Sequence, residues 1–121
     1  ISFHATGMLT LEEALRAEEE GKRASDSYRG KPHLVLADAR GLKPASPEIA
    51  EILQRIIRYC RLRGTVCCVH VYDSAVSRLQ AARLAREATR DVDGTLTVEV
   101  VSLEEAEQVL TEQRALLLGR S

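Results

Sequence analysis

The chain has 121 residues, 45% of them apolar and 29% charged. That balance suits one water-soluble globular domain over residues 1–121, and it excludes both a disordered chain and a pair of ordinary domains. The net charge of −1 hides an asymmetry: residues 1–54 carry 7 basic and 9 acidic side chains, residues 55–90 carry 8 and 2, and residues 91–121 carry 2 and 7. The basic middle is all arginine, has almost no interleaved aromatic side chains and is flanked by acidic segments. We therefore expect solvated helix faces or an acidic protein partner there, and no nucleic acid. The longest uncharged apolar run falls far short of the ~18–20 residues of a membrane-spanning helix, and no signal peptide is visible.

In chain order, residues 1–8 alternate weakly and predict a strand that Gly7 helps to end. Thr10 and Glu13 form a capping box, in which the threonine oxygen takes an orphan amide while the glutamate reaches back. The helix that follows is expected to run to about Ala24. Its Ala14, Ala17, Gly21 and Ala24 make a row of small residues for close packing on a sheet, while Glu12, Glu19 and Glu20 face water. Residues 25–32 read as a polar loop, and Pro32 suits the entry to a strand.

Residues 33–39 are mostly apolar and predict a buried strand, with a turn over residues 41–45. Ser46, Pro47 and Glu48 then open a second helix. At about 100° per residue its Ile49, Ile52, Leu53, Ile56, Ile57 and Cys60 fall in one stripe, with Arg55, Arg58 and Arg61 opposite. Gly64 suits the position just past its end, and Arg58, Arg61 and Arg63 suit the negative end of its dipole.

Residues 65–72 are β-branched and apolar on both faces, which predicts an interior parallel strand. Asp73 and Ser74 can each cap a third helix from Ala75 to about Thr89. Its Ser77, Ala81, Leu84 and Ala88 face inward, and Arg83, Arg86 and Arg90 form an outer ridge that Leu79 joins. A turn at residues 91–95 leads to a strand over 96–101. Ser102 and Glu105 then make a second capping box for a last helix with Leu103, Ala106, Leu110 and Leu117 inward. Strand and helix alternate four times. The expected fold is α/β, a mostly parallel four-stranded sheet with four helices and right-handed crossovers.

Ser46 stands at the mouth of a helix just beyond the carboxyl end of a strand, where α/β domains commonly bind their ligands. Its plain role is an N-cap, worth about 0.5–2 kcal/mol. Asp38 and Asp73 end neighbouring strands and are candidates to line one shallow site, although Asp73 also suits a cap. His4, His33 and His70 fall on separate strands with no Ser or Cys nucleophile paired to them. Cys60, Cys67 and Cys68 lack metal or CxxC spacing and read as reduced, small apolar side chains of a cytoplasmic protein. No nucleotide-binding glycine motif is present. We expect no enzyme, no metal and no cofactor.

Three stretches, ATGMLTLEEAL, HLVLADARGLKPASPEIAEIL and GTVCCVHVYDSAVSRLQAARLA, together resemble a STAS domain. This is the fold of bacterial anti-sigma factor antagonists and of the cytoplasmic tail of sulfate transporters. The stretches cover most of residues 3–90. The third is similar to a stand-alone bacterial subgroup likened to both STAS and lipid-binding SEC14 domains. The resemblance implies a STAS-like fold and a cytoplasmic regulatory module that binds a protein partner, an anti-sigma factor or another switch kinase. It also implies phosphorylation at Ser46, where a phosphate would meet free helix amides and the positive dipole end. The contact surface would then comprise Asp38, Pro47, Asp73 and Ser74, with Arg83 and Arg86 on the ridge. The SEC14-like side of the resemblance implies an alternative, a carrier whose helices part from the sheet to admit a small apolar ligand or a nucleotide. Two features depart from the family. Its antagonists carry Asp-Ser-Ser/Thr-Gly at the helix mouth, whereas Ala45-Ser46-Pro47-Glu48 matches only at the serine, and its usual strand before residues 1–8 is expected to be missing.

Overall fold

The computed structural model describes residues 1–4, 7–41, 43, 45–88 and 96–119. Strands and helices alternate as β1 (Ser2–His4), α1 (Leu11–Asp26), β2 (His33–Asp38), α2 (Pro47–Leu62), β3 (Thr65–Val71), α3 (Ala75–Ala88), β4 (Leu96–Val100) and α4 (Leu103–Gly119). The strands form one sheet in the order β1-β2-β3-β4, with each neighbouring pair parallel. The fold is α/β as expected, and its sheet is parallel throughout.

Because spatial order repeats sequence order, the layers follow. Each crossover steps one strand over in the same direction, so a common right-handed sense puts α1, α2 and α3 on one face. In keeping with this, α1 packs on α2 and α2 on α3, while α4 packs on β2, β3 and β4. A sheet wound in one direction has no point where the strand order reverses. The crevice that usually opens at such a point does not form here.

Alternation along the strands assigns each side chain to a layer. Cys67, Val69 and Val71 of β3 pack with Val100, Ala106 and Leu110 on the α4 side. On the other side Ala14 of α1 joins Ile49, Ile52, Ile56 and Cys60 of α2, with Phe3 against them. Gly21 permits the approach of α1 to the sheet, since a Cβ there would lie 2.9 Å from the Phe3 ring.

The helix ends explain most boundaries. Thr10 and Glu13 make both bonds of their box, each 3.1 Å long. After α2 the chain turns at Gly64 with φ +115°, and a Cβ there would come within 2.9 Å of the Lys31 carbonyl. The second box is displaced by one residue. The Glu105 amide donates to Ser102 Oγ as expected, but the Glu105 carboxylate accepts from Val101 rather than from Ser102.

Some expectations are corrected. Helix α1 runs on to Asp26, so Ser25 sits buried in its last turn rather than in a loop. Strand β1 spans three residues, not eight. In α4, Leu103 is exposed while Val109 packs against the core instead. Arg90, the turn at 91–95, and Leu42 and Pro44 of the turn at 41–45 lie outside the described residues, as do the side chains of Ser77, Ala81, Leu84 and Ala88.

Candidate functional site

The face of the sheet turned towards α1 and α2 is incompletely filled. Register places Phe3, Ala37 and His70 side by side there, with Val35 next to Cys68. Opposite them stand Ala17 of α1 and Leu53, Ile56 and Cys60 of α2, and a cavity of about 340 Å³ lies between the two layers. Small residues face one another across it, Ala17 on the helix side and Ala37 and Ala39 on the sheet side. Where both surfaces carry only methyl groups, the layers cannot meet at normal packing density. Glu13, Arg16 and Glu20 also line the cavity and are exposed, so they form its rim.

The cavity floor is polar but uncharged. Cys68 Sγ lies 3.2 Å from His70 Nε2, and both side chains are buried. Burial, reinforced by the nearby Arg61 charge, pushes His70 down to about 4, and burial pushes the Cys68 thiol up to about 12. Both groups are therefore neutral over the physiological range. Arg61 was expected on the outer face with Arg55 and Arg58. Instead it lines the cavity, and its Nη2 donates to Thr97 Oγ1 on β4 at 2.7 Å. Its flexible stem lets the guanidinium swing round the end of α2, where periodicity alone would leave it outside.

The helices above the cavity are tied to each other. Glu18 accepts both bonds of an Arg55 fork at 2.7 and 2.8 Å, and Tyr59 donates to Asp26 at 2.6 Å. The segments entering the two helices are joined as well. Gly7 donates to the Gly41 carbonyl and accepts from Lys43, each at 2.9 Å, with φ positive at both glycines. At the other end of the helix pair, His33 Nδ1 donates to the Lys31 carbonyl, leaving Nε2 to accept from the Ser25 and Thr65 hydroxyls at 3.3 and 3.0 Å. Tyr28 stacks on the same ring.

Two of the three histidines, expected to have no Ser or Cys nucleophile paired to them, do touch hydroxyl or thiol side chains. His33 meets Ser25 and Thr65, and His70 meets Cys68. Both pairings join residues remote in sequence or on one strand face, which no local motif announces. Neither makes an activated nucleophile, since Ser25 is fully buried and the Cys68 thiol holds its proton. Among the described residues no group of three or more His, Cys, Asp or Glu side chains could hold a metal ion.

The residues singled out from the sequence are scattered. Ser46 caps α2, its Oγ accepting from the Ile49 amide at 3.4 Å, and Pro47 follows at the first helical position. Asp38 and Asp73 both act on the Arg40 guanidinium, although Asp38 does not line the groove that Asp73 lines. Asp38 is buried at the end of β2, where it accepts a forked pair of bonds from Arg40 at 2.9 and 3.0 Å and lies 2.8 Å from His4 Nδ1. The Arg40 guanidinium, more than any other group, holds the Asp38 carboxyl down at about 2. Asp73 and Ser74 line a separate open groove of about 620 Å³ at the ends of β3 and β4, beside the Arg78–Glu99 ion pair. Arg83 pairs with Glu87 one turn along α3 and Arg86 is exposed, and neither lines the cavity or the groove. No helix among the described residues is long and apolar enough to cross a membrane. No family model, curated protein or solved structure matches the chain.

Proposed function

We propose that this domain is a non-catalytic binding module that takes a small apolar molecule between its sheet and the α1–α2 pair. The observation that carries this reading is the cavity itself. At about 340 Å³ it falls within the range of small-ligand sites, its walls are mostly apolar, and Cys68 and His70 on its floor are neutral, with the Arg61 guanidinium beside them. Helices tied to each other at Glu18–Arg55 and Tyr59–Asp26 can lift from the sheet as a unit without parting from one another. This is the behaviour that the SEC14-like side of the resemblance implies. Ala37→Leu tests the proposal, because it places three extra carbons in the cavity from a strand position. The variant should fold with stability equal to or above wild type and lose binding of an apolar fluorescent probe such as anilinonaphthalene sulfonate. Undiminished probe binding by a folded Ala37→Leu protein would put the ligand elsewhere.

A second reading rests on Ser46. Ser46 is exposed at the mouth of α2, the helix that walls the cavity, and a phosphate there would lie at the favourable end of the dipole. This supports the STAS-like regulatory role, with a protein partner such as an anti-sigma factor or switch kinase contacting Ser46 and Pro47. The two readings are compatible, since one concerns the inside of the helix layer and the other its rim.

A further inference from the structure

Strand β4 closes one side of the sheet, so one of its edges pairs with β3 and the other faces outward. The Tyr72 amide donates to the Val100 carbonyl at 3.0 Å, which turns the peptide groups of Val100 towards β3. Because these groups alternate along a strand, those of Leu96 and Val98 also point inward, and those of Thr97, Glu99 and Val101 point outward. The Glu105 carboxylate accepts from the Val101 amide, whereas no described residue takes the outward amides and carbonyls of Thr97 and Glu99. Edge strands commonly carry proline, lysine or a bulge that blocks pairing with another chain. Strand β4, running Leu96-Thr97-Val98-Glu99-Val100 in unbroken register with β3, has none of these. Its one charge, Glu99, is held by Arg78, and Leu96, Val101 and Leu103 are exposed along it.

We infer that this edge is an interface between two copies of the chain, which pair antiparallel about a two-fold axis at Val98 and join their sheets edge to edge. That axis sets Thr97 opposite Glu99 of the second copy, and each such pair exchanges two backbone bonds, as in the hydrogen-bonded pairs of an antiparallel ladder. All the outward groups of Thr97 and Glu99 are then used. On the α4 face Val98 meets its own counterpart and Leu96 meets Val100 of the second copy, which covers apolar surface left open in one chain. On the other face Arg61, which donates to Thr97 Oγ1, comes beside Glu99 of the second copy, so that this carboxylate lies between Arg61 and its own Arg78. An axis at Glu99 would instead set two carboxylates against each other. No β4 residue lines the cavity, so the pairing leaves its walls untouched.

Sedimentation equilibrium should show the 13.4 kDa monomer at high dilution and twice that mass at about 1 mM protein. Thr97→Pro removes one outward amide and leaves the bonds to β3 in place, so it should fold and stay monomeric. Thr97→Val loses the same hydroxyl but keeps the amide, and it should still form the dimer. Amide exchange in the wild type needs no variant and decides the matter where Thr97→Pro fails to fold. The amides of Thr97 and Glu99 should slow as the protein is concentrated, while those of Val98 and Val100 should be protected throughout. A wild-type chain that remains at 13.4 kDa overturns the self-pairing and leaves the edge to a strand of another protein. Dimers of folded Thr97→Pro, or Thr97 and Glu99 amides that exchange equally fast at both concentrations, put the contact elsewhere and overturn it as well.

Discussion

Strand β3 is interior to the sheet, and its two faces meet different fates. Cys67, Val69 and Val71 are fully buried beneath α4, where they pack with Val100, Ala106 and Leu110. Cys68 and His70, interleaved with them, face a layer that leaves about 340 Å³ open and carries polar atoms on its floor. One strand thus serves as core on one side and as the wall of a cavity on the other. The difference lies less in β3 than in what opposes it. Helix α4 presents Val109 and Leu110 to the sheet, whereas α1 presents Ala14 and Ala17. Both faces hold a buried cluster, and only the α1–α2 side also keeps open space, which the proposed function uses.

If that division is right, equal truncations should cost unequal amounts. Leu110→Ala removes a side chain packed on all sides and should destabilise by about 3–5 kcal/mol. Ile56 already borders empty space, so Ile56→Ala forfeits fewer contacts and should cost about 2–3 kcal/mol. Denaturant titration of both variants decides the matter. Equal losses would mean that the helix layer is as tightly packed as the α4 layer.

Titration by acid should separate the two faces as well. His70 titrates near 4 in the folded protein against an ordinary 6.5, because burial disfavours its charged form. The unfolded chain takes up this proton first, so stability is complete above pH 6.5 and falls by roughly 3 kcal/mol as pH drops to about 4. Asp38 titrates near 2 against an ordinary 3.8, held by Arg40. Its contribution, roughly 2 kcal/mol, is present above pH 3.8 and disappears as pH falls towards 2. Acid unfolding should therefore show two successive losses, and His70→Asn should remove the upper one while sparing the lower. A variant profile that superimposes on wild type would show that His70 is solvated, and the floor would then be wet.

Much of the architecture was legible because it follows from local rules. The apolar stripe of α2, the Thr10 box and the two-faced apolar run of β3 each depend on residues a few positions apart. The cavity depends on a gap, and a pattern of apolar residues reads the same whether the layer they face is filled or empty. The available signal was size: Ala17, Ala37 and Ala39 are all small and all fall on facing surfaces once the layers are known. Arg61 escaped because helical periodicity places its Cα but not the end of its long side chain. The His33 cluster escaped because Ser25 and Thr65 lie 8 and 32 residues from the ring they share.

The smallest expected effects are at Ser46, and they sharpen the comparison by asking whether the rim of the open layer acts independently of its interior. The Ser46 oxygen accepts from the Ile49 amide, and α2 begins there with Pro47. Ser46→Ala removes the acceptor and should cost about 0.5–2 kcal/mol, whereas Ser46→Asp keeps one and adds charge at the positive end of the helix dipole. Aspartate should therefore be neutral or mildly stabilising in thermal unfolding. Neither change touches a cavity-lining residue, so affinity for an apolar probe should stay within about twofold of wild type for both. If Ser46→Asp keeps its stability and probe affinity but loses a protein partner identified by pull-down, the rim is a separate regulatory surface. If probe affinity falls together with partner binding, rim and cavity form one coupled site, and α2 is the element that joins them.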